Sequence, residues 1–303
     1  MRVNIRPCQS DELERLIPLL DEEFIISRGR IISLQLRFPT VFCQNNLHNI
    51  FVCIDGKEIA SALAMRQFDW RDGDKVYRGT MIGTVYTHPL RRGQGWASKL
   101  LAATATQLRE RNVDFAVLWT VRPSFYARLG WMATDCSVLG ESVLGEIESS
   151  ELMPESLCDV TRLSVEASAS QLEKIRQRWL NTRTLRQPED YCQLPLPAKG
   201  VEVLWQEHQG KTAYALLGSN GETGFLYELV GDASCFQALW RETCRSHQHL
   251  FINERIDSLS CHWLAKHTDI NWENKNLAMW LPLSKRVNIA NLEHWHIPYF
   301  DRI

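Results

Sequence analysis

The sequence has no CxxC pair, no tract of basic residues and no long apolar run. Each absence removes a class of protein. The nine cysteines are odd in number and scattered, whereas a disulfide framework favours an even count at tight spacing. Reduced thiols in a cytoplasm are the simpler expectation. With 34 basic against 36 acidic residues the formal net charge is −2, and without a basic tract nucleic acid is not the expected partner, a local basic patch being left open. No apolar stretch approaches the roughly 20 residues of a membrane-spanning helix. The opening MRVNIRPCQSDELE has no apolar h-region, so no signal peptide is expected. His247, His249, His262 and His267 lie near one another, but their neighbours form no ligand pattern and no metal is expected. What the chain does have is size and apolar content. Its 303 residues, 45% hydrophobic and 23% charged, suffice for two globular domains.

Periodicity predicts a mixed α/β chain. A strand at residues 3–5 precedes a helix capped by Ser10 or Asp11, whose buried face is Leu13, Leu16, Ile17 and Leu20. Pro18 should kink or break that helix. A second helical piece is expected over 25–36, then strands over 50–54, 59–68 and 76–87, separated by Asp55-Gly56 and Asp72-Gly73 turns. Gly79 and Gly83 in the third of these suggest a bulge or a close backbone approach. An amphipathic helix with Ala97, Leu100, Leu101, Thr104 and Leu108 inward leads to a buried strand over 115–119 and a short helix ending at Gly130. The acidic, Gly/Ser-rich stretch 137–158 reads as a linker. Beyond it the order β-α-β-β-β-α-β-α-β echoes the first half, which predicts domains at 1–136 and 159–303. The later half holds seven of the eleven tryptophans, Trp179, Trp205, Trp240, Trp263, Trp272, Trp280 and Trp295, as core or cleft residues.

The stretch TVYTHPLRRGQGWASKLL, residues 84–101, carries the chemistry. A β-branched strand runs into a basic, glycine-rich turn and then a helix. Gly93 and Gly95 remove Cβ atoms where a ligand must approach the backbone, and the free N–H groups of the helix start favour an anion. Arg91 and Arg92 add cations suited to phosphate. The spacing GxxxxGK[ST] of an NTPase loop is absent. A dinucleotide fingerprint would need a third small residue where Ser98 stands and an acid at the far end of the next strand, whereas Asp114 begins that strand. The pattern [RQ]xxGx[GA] of a coenzyme A pyrophosphate loop is met by Arg92, Gly95 and Ala97.

This run resembles the coenzyme A motif of the GNAT N-acetyltransferases, and FYARLGW at 125–131 resembles their FYxxxGF motif, with Trp131 in place of Phe. The resemblance covers about residues 3–136. It implies a GNAT fold, an α/β fold with a mixed sheet, followed by a second, degenerate GNAT-like domain. Bacterial tandem-GNAT proteins, including the enhanced-intracellular-survival group, are similar in layout. The implied function is transfer of an acetyl group from acetyl-CoA to a primary amine of a small molecule or peptide by direct attack. The implied donor contacts are the backbone of Val85, Tyr86 and Thr87 for the pantetheine arm, and Arg92, Gly93, Gln94, Gly95, Trp96, Ala97 and Ser98 for the pyrophosphate. Tyr126 matches the general acid that protonates the leaving thiolate. The strand before the loop has no carboxylate, so the base is left among Asp69, Asp72, His88, a water and the terminal carboxylate of Ile303. The alternative is a non-catalytic acyl-CoA-binding regulator whose second half binds a partner. Neither nucleic acid nor membrane is an expected partner, a cytoplasmic location is expected, and an oligomer is left open.

Overall fold

The computed structural model describes residues 4–143, 160–275 and 277–303. These fall into two compact units. The first comprises the described residues of Met1–Asp135 and Asn276–Trp295, with Ile303; the second comprises those of Cys136–Lys275, with His296–Arg302.

The first unit begins β1 (Asn4–Pro7), α1 (Ser10–Phe24), α2 (Leu34–Arg37), β2 (Ile50–Asp55), β3 (Glu58–Asp72) and β4 (Lys75–Thr87). It continues α3 (Trp96–Glu110), β5 (Phe115–Trp119), α4 (Pro123–Ala127) and β6 (Met132–Ala133). Helix α1 is unbroken. Pro18 forfeits one N–H, but Leu13, Leu16 and Leu20 bury a continuous face. Its first turn is fixed from outside. The cap is Gln9 rather than Ser10 or Asp11; Gln9 N–H donates to Glu12 at 2.8 Å, and the same carboxylate receives the Arg6 guanidinium at 2.7 Å. The expected helix over 25–36 is instead a 3₁₀ turn at Ile26–Arg28 and the short α2, because Gly29 turns left-handed between them.

The second unit contains β7 (Ser137–Val143), β8 (Val160–Leu163), α5 (Val165–Trp179), β9 (Thr182–Leu185), β10 (Gly200–His208), β11 (Lys211–Asn220) and β12 (Thr223–Gly231). After these come α6 (Phe236–Ser246), β13 (His249–Arg255), α7 (Leu259–His267) and β14 (Asn271–Asn274). The chain then returns to the first unit for β15 (Ala278–Pro282) and α8 (Ile289–Leu292).

Two boundaries therefore differ from expectation. Residues 137–143 of the expected linker are strand β7, paired with β13 and β14 in the second sheet. Its glycine and serine content masked the alternation. Gly140 is demanded by packing, since a Cβ there would meet the Trp272 ring at 2.9 Å. Residues 144–158 lie outside the described residues. The expected second domain, 159–303, is also not one body, because β15 pairs antiparallel with β5. With it come Trp280 and Trp295, which pack on Phe115, Trp70 and Tyr77 in the first unit.

The strand order along the first sheet is β1-β2-β3-β4-β5-β15-β6, and along the second β14-β7-β13-β12-β11-β10-β8. Each sheet has a parallel pair at its centre, β4 with β5 and β12 with β13. In the first unit, α3 buries Trp96, Leu100, Leu101 and Leu108 against Phe51, Leu63, Met65 and Leu118. Trp96 thus takes the inward place expected of Ala97. In the second unit, Phe236 and Leu239 of α6 cover one face of the sheet and Leu172 of α5 the other. Among the described residues no helix is long and apolar enough to cross a membrane, and no three His, Cys, Asp or Glu side chains gather as metal ligands would.

Candidate active site

The site is built where β4 parts from β5. The two strands pair in parallel only from Gly79↔Phe115 to Met81↔Val117. Beyond Met81 a bulge breaks the register of β4 on β3, and Thr84 takes φ 47°, a left-handed conformation unusual for a β-branched residue. The Thr84 hydroxyl is buried there without a hydrogen-bond partner among the described residues. Past the bulge, β3 is the strand with which β4 pairs among the described residues. His88 N–H donates to Ala60 O at 3.0 Å, so by the alternation of an antiparallel ladder Val85 and Thr87 turn their N–H and C=O toward the open edge. The Tyr86 side chain is buried, and burial raises its phenol above the ordinary range. Only the backbone of this strand faces the opening.

Because β4 and β5 are parallel, the segments that follow them emerge at the same end of the sheet. After β4, His88 Nδ1 accepts from Leu90 N–H at 3.3 Å and caps a 3₁₀ turn at Pro89–Arg91. His88 is thus a capping residue. Gly93 and Gly95 follow with φ 78° and 77°, and the space where their Cβ atoms would stand is open. Gly95 is the N-cap of α3 and has no side chain to occupy the helix start. A diphosphate fits such a cradle: free N–H groups, a favourable dipole and unobstructed approach.

Side chains of the expected loop do different things from one another. Trp96 is buried in the core and its indole N–H donates to Gln94 Oε1 at 3.2 Å, while Gln94 Nε2 donates to Leu90 O. Arg92 pairs with Glu23 at 2.7 Å and reaches Thr87 O at 3.3 Å, and Arg91 pairs with Asp55 at 2.8 Å. Ala97 and Ser98 are half-buried at the first turn of α3. The carboxylate partners Glu23 and Asp55 were not foreseen, since nothing in the local pattern signals a neighbour so distant in sequence.

After β5, Pro123 opens α4 at a position where its missing N–H costs nothing, and Tyr126 follows on the first turn. Tyr126 is half-buried, edge-on to Phe125 at 4.9 Å and to Trp131 at 6.1 Å. Burial raises its phenol above the ordinary range, opposed by the Arg122 guanidinium. A tyrosine so held stays protonated and can donate.

Two base candidates are excluded by position. Asp69 and Asp72 pair with Arg78 and Lys75 at the opposite end of β4, about 20 and 30 Å of strand from Thr84. Asp72 also accepts from Trp295 Nε1 at 3.1 Å. Asp114 is structural, fully occupied by Arg78 N–H, Ser284 Oγ and Arg286. Ile303 does reach the opening: a Cβ on Gly83 would stand 2.9 Å from its main-chain oxygen, so glycine at 83 is what admits it.

A split parallel pair ending in a glycine-rich anion cradle is the architecture of an acyltransferase. Residues 4–134 match the family described as acetyltransferase (GNAT) domain. The second unit repeats the fold in degenerate form. Solved structures cover the chain more widely. A conserved protein of unknown function from Enterococcus faecalis V583 is 15% identical, with TM-score 0.74, over 93% of this chain and 73% of its own. A GCN5-related N-acetyltransferase from Anabaena variabilis is 12% identical, with TM-score 0.72, over 93% and 73%. Eis1 from Mycobacterium abscessus is 15% identical, with TM-score 0.62, over 93% and 74%. At such identities the likeness is one of fold. No curated protein matches the chain.

Proposed function

We propose that the chain is a cytoplasmic acetyl-CoA-dependent N-acetyltransferase acting on a primary amine of a small molecule or peptide. The observation that carries this reading is the open edge of Val85 and Thr87 leading directly to the unobstructed cradle at Gly93 and Gly95. The edge suits the amide groups of a pantetheine arm, and the cradle suits its diphosphate. Attack of the neutral amine on the thioester carbonyl forms the C–N bond and expels a thiolate, to which Tyr126 gives its phenolic proton. A water at the opening takes the ammonium proton before the attack. The GNAT assignment supports acyl transfer, and the acetyl donor and amine acceptor are this proposal's own.

Thiol release from acetyl-CoA, followed across a panel of small amines and peptides, tests it. Turnover with at least one amine is expected, and Gly95→Glu should abolish both coenzyme A binding and turnover. Tight coenzyme A binding with no turnover on any amine would instead favour a regulatory acyl-CoA sensor. Retained binding in Gly95→Glu would show that the cradle is misassigned.

A further inference from the structure

We propose that the second unit binds a small ammonium compound carrying an amide group, in a cavity of about 180 Å³ where β12 parts from β13. The cavity is small beside the roughly 300–1,000 Å³ of sites for drug-sized ligands, so its occupant is correspondingly small.

The cavity repeats the geometry of the first unit with different chemistry. β12 and β13 pair in parallel only from Thr223↔His249 to Leu226↔Ile252, and a bulge follows on the β11 side. Asp232 N–H donates to Thr212 O at 3.0 Å, so Leu229 and Gly231 turn their N–H and C=O to the open edge. Such an edge pairs with an amide. The phosphate cradle, however, is gone. The turn at Ala233–Cys235 runs straight into α6, with no glycine loop between. The Asp232 carboxylate accepts from Ser234 N–H at 3.0 Å and from its hydroxyl at 2.7 Å, placing a negative charge at that turn. An anionic ligand is repelled.

Glu254, at the end of β13, lines the cavity and sets the sign of its occupant. Its carboxylate accepts from Ser260 Oγ at 2.7 Å and from Arg255 N–H at 3.0 Å, and has no ion-pair partner among the described residues. The cations nearby are committed elsewhere. The Arg255 guanidinium turns to Asp257 at 2.5 Å and to Thr182 at 2.9 Å. Arg176 is held by Glu228, and Arg186 by Glu228 and Asp301. Burial raises Glu254 to about 6, and the Glu228 carboxylate adds to the effect. An ammonium would supply the missing counter-charge, with its amide laid along Leu229 and Gly231.

Calorimetry on the full chain with alaninamide, and with lactamide as its uncharged counterpart, tests this. One alaninamide per chain is expected, with lactamide binding about 10–100-fold more weakly and Glu254→Gln lowering alaninamide affinity by a similar factor. Hydrogen exchange should show alaninamide protecting residues 227–231, a measurement that needs only the wild-type chain and decides the matter if Glu254→Gln does not fold. Equal affinity for the two amides, unchanged affinity in a folded Glu254→Gln, or protection confined to residues outside β12 and β13 would each overturn the proposal.

Discussion

Tyr126 has the properties of a donor rather than an acceptor. Its ring is clamped edge-on by Phe125 and Trp131, so replacement by Phe leaves the packing intact and removes only the hydroxyl. General acid catalysis is typically worth about 10²–10⁴-fold, and Tyr126→Phe should lower kcat by that order while leaving the coenzyme A dissociation constant within about twofold. The pH profile follows from the sign of the shift. A phenol raised by burial keeps its proton through neutral pH and beyond the ordinary tyrosine range, so the alkaline fall in kcat belongs above that range. A fall near neutrality in wild type, persisting in Tyr126→Phe, would assign the titrating group to another residue.

Two glycines with positive φ separate a functional requirement from a structural one. At Gly95 a Cβ meets nothing within 4 Å, so Gly95→Ala bears only the backbone penalty, about 1 kcal/mol. At Gly231, φ is 131° and a Cβ would stand 2.4 Å from both Ala213 Cα and Thr212 O, backbone atoms that cannot rotate away. Gly231→Ala combines overpacking with backbone strain and should lose about 2–6 kcal/mol. Urea midpoints for the two variants would measure the difference.

Elements show how local signals compete with neighbours. Helix α1 survives Pro18 because its start is tied down by Glu12, which accepts from Gln9 N–H and from Arg6. Hydrogen bonding to Arg6 lowers the Glu12 carboxyl below its usual range. The unfolded chain then binds the proton more readily, so the stabilisation is complete above the ordinary glutamate range and is lost as pH falls through the depressed value. Glu12→Gln should cost about 1–3 kcal/mol at pH 7, and its gap to wild type should close on acidification; denaturant unfolding at pH 7 and pH 3 would show it. The same competition decides what could be read in advance. The left-handed glycine turn between β4 and α3 was legible because it is written in consecutive residues, Gly93-Gln94-Gly95. The pairing of Arg92 with Glu23 and of Arg91 with Asp55 was not, because it depends on which strands and helices meet. Strand β15 was legible as a strand over 277–281, yet a period of two says nothing about which sheet accepts it.

At the scale of the molecule, that last omission has the largest consequence. The chain leaves the first unit after Asp135 and re-enters it with β15, which lies between β5 and β6 in the sheet. β15 satisfies β5 from Ala278↔Trp119 to Pro282↔Phe115 and sends Met279 and Leu281 into the core beneath α3. Trp280 donates to Thr134 O at 2.8 Å and, with Trp295, closes an aromatic cluster on Phe115. A fragment of residues 1–136 contains every motif residue of the proposed donor site yet lacks this strand. Its β5 would be an exposed, apolar edge, a template for pairing with other chains. Fully burying a single large apolar side chain contributes about 1.5–3 kcal/mol, so losing Met279, Trp280, Leu281 and Trp295 together approaches the whole stability of a small domain. The fragment is therefore expected to aggregate and to show no cooperative unfolding, whereas one joining residues 1–136 to 277–295 by a flexible linker should unfold cooperatively and bind coenzyme A. Sedimentation and thermal melting of the two fragments provide the check. A soluble, cooperatively folded 1–136 fragment would show that β15 is an addition to the first unit rather than part of its core.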